Sequence, residues 1–88
     1  ESFLPLIDAR IAKEEIQIIR EIITNRSIRF HDLRTRRAGS YRFADIHIEL
    51  KETMTLKEVH LICDEIEQEI KKKIKNFEIN VHVEPLAD

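Results

Sequence analysis

The sequence predicts an α+β domain in the order helix, strand, strand, helix, strand, and three observations predict it. Isoleucines recur at helical spacing early in the chain, two later runs alternate apolar and polar residues, and between those runs lies a segment opening with a helix-capping signature. Elements in that order form a three-stranded sheet with both helices on one face.

The first helix is expected over residues 12–24, where Ile16, Ile19, Ile22 and Ile23 recur at steps of three and four and give one apolar stripe. Residues 1–11, with Pro5 among them, read as a lead-in. Residues 30–50, FHDLRTRRAGSYRFADIHIEL, hold the only glycine, Gly39, between two strand-like runs. Gly takes positive φ without steric cost, so this span reads as a hairpin. A three-residue loop, Ala38-Gly39-Ser40, sets His31 directly opposite His47, with Cβ atoms about 4.5–5.5 Å apart. A two-residue turn would slip the register and send one side chain to the other face.

In the second strand Ala44, Ile46, Ile48 and Leu50 share the core face, and Asp45, His47 and Glu49 share the other. Thr55 with Glu58 then forms a capping box, and Met54 with Val59 a hydrophobic staple, at the head of a helix over residues 56–73. Its stripe is Leu56, Val59, Cys63, Ile66 and Ile70, and Lys71, Lys72, Lys73 and Lys75 gather near its negative end. The last run, FEINVHVEP, points Ile79, Val81 and Val83 inward and Asn80, His82 and Glu84 outward. A right-handed crossover lays it parallel to the second strand, which makes the sheet mixed with that strand in the middle. His31, His47 and His82 then lie across three adjacent strands.

Imidazole nitrogen and carboxylate oxygen are the usual ligands of zinc and neighbouring divalent ions, so His31, His47, His60, His82 and Glu84 are candidate metal ligands. His60 and Asp64 stand four apart on the second helix, where Asp64 can orient the imidazole. Surface or hydrogen-bonded histidines are the commoner reading of four scattered residues, and the shared face of His47, His82 and Glu84 is what argues against it.

The stretches HDLRTRRAG, IHIEL, TLKEVHLICDEIE and VHVEP, in this order and spacing, resemble the cytoplasmic C-terminal domain of cation diffusion facilitator transporters, which export zinc and related divalent cations. The resemblance covers most of the chain from Ile7 onward. It implies a metallochaperone-like αββαβ fold, a ferredoxin-like variant, that forms homodimers beneath the membrane. It also implies metal bound between protomers, often as two ions, with zinc or a similar cation (Cd2+, Co2+, Fe2+, Mn2+) as ligand. The family's ligand positions carry over onto His31, His47, His60, His82 and Glu84, the last being Asp in some relatives. On this reading the 88 residues are one regulatory metal-binding and dimerisation domain at the cytoplasmic face of the cell membrane, covalently continuous with a transmembrane transporter domain. Asp8, in LIDAR, marks the junction with that domain or else is a simple capping or linker residue.

Composition agrees with one small domain: 88 residues, 42% hydrophobic, and a sheet with one bare face that dimerisation or metal would help to stabilise. A formal charge of -2 from 15 basic and 17 acidic residues argues against a nucleic-acid partner. A single cysteine, Cys63, forms no internal disulfide and reads as a buried thiol suited to a reducing cytosol. No run approaches the roughly 18–20 apolar residues of a membrane span, and a start at Glu1 reads as an excised soluble fragment. Arg34, Arg36, Arg37 and Arg42 are expected to pair with Asp32, Asp45 and solvent, with contact to lipid phosphates or a partner as the other reading.

Two further function classes compete. A soluble metal carrier would use paired cysteines, and the chain has no CxxC. A non-catalytic RNA-binding αβ module would need an aromatic stacking face and net positive charge. An enzyme is not expected, because no nucleophile stands beside a base in a recognisable motif.

Overall fold

The computed structural model describes residues 11–86. Helix α1, Lys13–Asn25, starts after Ala12, whose N–H is met by the Glu15 carboxylate at 3.3 Å. It buries Ile19, Ile22 and Ile23, and Ile16 packs against the same core. Ile11, the last residue of the expected lead-in, is itself buried. Asp8 lies outside the described residues. Past the end of α1, Arg26 donates to Glu65 and Glu69, each at 2.9 Å, and ties α1 to the second helix.

Strands β1, Arg29–Ala38, and β2, Tyr41–Leu50, form the antiparallel hairpin, but its connection differs from the expected one. Ala38 pairs with Tyr41, so the turn is the two residues Gly39-Ser40, with φ +63° at Gly39. Positive φ at the first central residue alone is the II′ pattern, which follows the natural twist of paired strands. The register shifts between His31 and Arg34, where Asp32 and Leu33 stand against the single residue Ile46. This bulge, with Asp32 at φ +54°, restores the lost residue, and His31 does face His47.

Helix α2, Leu56–Lys73, opens on the expected capping box: Thr55 Oγ1 accepts from the Glu58 N–H at 3.1 Å, and Glu58 Oε1 accepts from the Thr55 N–H at 2.8 Å. Ile66 and Ile70 are fully buried, and Met54, Val59, Ile62 and Cys63 pack against the core. Leu56 does not belong to that stripe. It is 74% exposed, because the first turn of α2 lies beside the edge strand rather than over the sheet. Strand β3, Phe77–Pro85, runs parallel to β2 in the order β1-β2-β3. Ala44, Ile46, Ile48 and Leu50 are all buried beneath the helices, as the alternation requires, whereas Val83 on the edge is 40% exposed.

The hairpin arginines do not pair as expected. Arg42 meets Glu15 at 2.8 Å, and Asp45 instead accepts from Asn80 at 3.1 Å. Among the described residues no carboxylate pairs with Arg34, Arg36 or Arg37.

Candidate metal centre

The sheet face away from the helices carries the candidate site. On β2, His47 alternates with buried Ile46 and Ile48 and must therefore project outward. The hairpin register places His31 on one side of it, and the parallel register places His82 on the other. The three imidazoles stack in a row, with centroids 5.3 Å apart for His31 and His47 and 4.8 Å for His47 and His82. Two residues further along, on the same face, β3 presents Glu84 beside Glu49.

Glu84 joins two members of the row. Its Oε2 lies 2.6 Å from His47 Nδ1, and its Oε1 lies 3.3 Å from His31 Nε2. One ligand atom each from His31, His47 and Glu84 falls within a 4.8 Å separation of the others. Ligand atoms around a tetrahedral zinc ion are about 3.3 Å apart at ordinary bond lengths, so small side-chain rotations bring this set to bonding geometry. Two imidazoles and one carboxylate are also the right chemistry for such an ion. All three side chains are partly exposed, at 42%, 32% and 39%, and an ion reaches them from solvent without rearrangement of the sheet.

His82 stands at the margin of this trio, with Nε2 3.9 Å from Asp45 Oδ1. His60 is not brought to it. It lies on α2 in a shallow groove with Leu56, Val59, Cys63, Asp64, Val81 and Val83, on the core-facing side of β3. No hydrogen bond joins His60 to Asp64 among the described residues. Cys63, in the same groove, has its thiol pushed toward the protonated form by burial first and then by the charges of Asp64 and Glu67.

Sequence reasoning missed Glu49. Its side chain is only 16% exposed, its Oε2 lies 3.6 Å from His31 Nδ1, and its buried Oε1 has no hydrogen-bond partner, with Arg29 Nε 3.8 Å away. Glu49 and Glu84 are register partners on neighbouring strands, and each places a carboxylate oxygen beside the His31 ring. The alternation of Glu49 with His47 was the available signal.

Comparison with known proteins agrees with this fold. Residues 11–86 match the family described as cation efflux protein, cytoplasmic domain. The chain is 38% identical over 84 residues to the cation-efflux pump FieF of Pectobacterium atrosepticum, covering 93% of this chain and 28% of that protein. It is 33% identical over 89 residues to FieF of Escherichia coli, covering 99% of this chain and 30% of that protein. It thus spans under a third of these relatives. Among solved structures, the Zn form of CzrB superposes with TM-score 0.74 at 33% identity, over 89% of this chain and 92% of that one. The metal-bound C-terminal domain of the CzcD transporter from Thermotoga maritima gives 0.75 at 26%, over 89% and 98%.

Proposed function

The chain belongs to the family of cation efflux protein cytoplasmic domains, and from that premise we propose that it is the regulatory domain of a zinc-type efflux transporter, binding a divalent cation and closing a homodimer around it. The observation that carries the reading is the convergence of His31, His47 and Glu84 within 4.8 Å on the open sheet face. His31, His47 and Glu84 hold the ion, with His82 at the edge of the same row. The ion supplies a cross-link between side chains and no bond-making chemistry. No helix among the described residues is long and apolar enough to cross a membrane, and translocation belongs to the remaining length of the transporter.

His60 fits this reading as the ligand contributed by a second copy. The groove that holds it is bordered by Leu56, 74% exposed, and Val83, 40% exposed, and the next turn carries Leu61, 58% exposed. An apolar margin on an edge strand favours covering by a partner chain. The opposite face of that strand carries His82 and Glu84, so a protomer wrapping the edge brings its own His60 near them. A ligand set divided between protomers has higher affinity when they approach, and the ion shifts the pair toward the closed form by that difference.

Light scattering should give twice the chain mass. Distances between spin labels on the two protomers should shorten on zinc addition, and His60→Ala should reduce the shortening while leaving the mass unchanged. A monomer in excess zinc, or distances indifferent to zinc, would sink the reading.

A further inference from the structure

We propose that the β1–β2 hairpin is a docking surface for the anionic headgroups of a lipid bilayer. Residues 33–44, LRTRRAGSYRFA, hold four arginines and no Asp or Glu, in a chain that has 17 acidic residues. The fold sorts these arginines. Arg42 is withdrawn: its Nε lies 2.8 Å from Glu15, and its Nη1 donates to the carbonyls of Ser40 and Lys75 at 3.0 and 3.1 Å.

Arg34, Arg36 and Arg37 stay exposed, and among the described residues none forms an ion pair with a carboxylate, although Asp45 is the cross-strand neighbour of Arg34. Arg36 lies over the Phe43 ring at 4.8 Å, which fixes the guanidinium and leaves its charge intact. At the turn, Tyr41 is 54% exposed beside Gly39 and Ser40. A planar guanidinium matches phosphate oxygens bidentately, and a tyrosine with its ring in the headgroup zone and its hydroxyl in water suits a bilayer interface. By the hairpin register Arg36 and Arg37 project from opposite faces just behind the turn, so a flat, negatively charged surface meets both at the tip, beside the exposed Tyr41.

Placement supports the same occupant. The Arg42–Glu15 contact fixes the turn at the end of the molecule where α1 begins. His31 lies six residues before Arg37 on the same strand, so the metal cluster sits about 20 Å from the tip and both surfaces can be engaged together. The overall charge of -2 disfavours a polyanion that wraps the domain, such as RNA, but not a plane touched by one tip. The choice of a bilayer rests on the proposed place of this domain beside a membrane transporter, whereas the charge pattern does not.

Sedimentation with phosphatidylcholine vesicles containing one-third phosphatidylglycerol tests the proposal. The chain should pellet with these vesicles at low salt, not with pure phosphatidylcholine, and high salt should release it. Arg34→Glu and Arg37→Glu should each weaken partitioning by about fivefold or more, whereas Lys57→Glu, an exposed cation on α2, should not. Zinc affinity measured on the same variants should be unchanged, which separates failure here from failure of the metal reading. Equal binding to both vesicle types, or indifference to the arginine reversals, would overturn the proposal. Arginine-dependent binding of an RNA oligonucleotide without vesicle binding would overturn it as well.

Discussion

Asp32 and Gly39 offset each other across the first strand. The tight turn at Gly39 takes one residue out of the connection, and the bulge at Asp32 puts one back, so that His31 reaches the face of His47. The register that sets His31 against His47 thus depends on a residue held at φ +54°, a conformation that a β-branched side chain tolerates poorly.

Substitution at that position should separate backbone from side chain. Asp32→Gly should be neutral or slightly stabilising, whereas Asp32→Val should cost about 1–3 kcal/mol in urea unfolding. Calorimetry should show weaker zinc binding for Asp32→Val as its bulge is lost. Equal stability of the two variants would mean that the bulge is not under strain.

Within the cluster, His47→Ala and Glu84→Ala should remove most zinc affinity, because each takes away a group at the centre of the trio. Glu49→Gln keeps the shape but loses the charge that faces His31 Nδ1, and should weaken binding by about 10- to 100-fold. Isothermal titration on the three variants orders these effects. A Glu49→Gln protein that binds as wild type would confine Glu49 to the fold.

Protons compete with metal for imidazole nitrogen, and free histidine takes up its proton near pH 6.5. Zinc affinity should therefore fall between pH 7.5 and 5.5. Titrations at the two values check this, and equal affinity would remove histidine as the main ligand.

Cys63 supplies a test of the α2 groove that needs no metal. Burial, with Asp64 and Glu67 beside it, holds the thiol protonated to higher pH than an ordinary cysteine. An acid whose folded-state value is raised contributes stability below its unfolded value, near 8.5, and loses it as pH rises through the raised one. Alkylation at pH 8 should be slower in the folded chain than in urea, and unfolding free energy should decline at alkaline pH. Equal alkylation rates would place the thiol in solvent.

Much of the fold was legible because its signals are local. The Thr55–Glu58 box, the Ile19–Ile22–Ile23 stripe and the alternation of β2 each need only a few neighbouring residues, and each stands as expected. The hairpin shows where locality fails. The pairing of His31 with His47 was expected from a three-residue loop, yet it arises from a two-residue turn and a distant bulge, because a bulge is decided by cross-strand contacts and twist. Leu56 fits the helical period, but where α2 overhangs the sheet is a tertiary matter, and no periodicity encodes it. The convergence of Glu84 on two histidines follows from register, whereas the buried oxygen of Glu49 depends on side-chain packing that alternation does not specify.

The parallel pairing of β3 with β2 has a kinetic corollary. Glu84 reaches His47 only after α2 has crossed over and β3 has zipped onto the central strand, a non-local event that is slow beside hairpin closure. A half-folded chain whose hairpin has closed thus presents His31, His47 and Glu49 but not Glu84, the carboxylate that reaches both imidazoles. On the proposed function, the full set of His31, His47 and Glu84 is assembled for a cation only once β3 has docked.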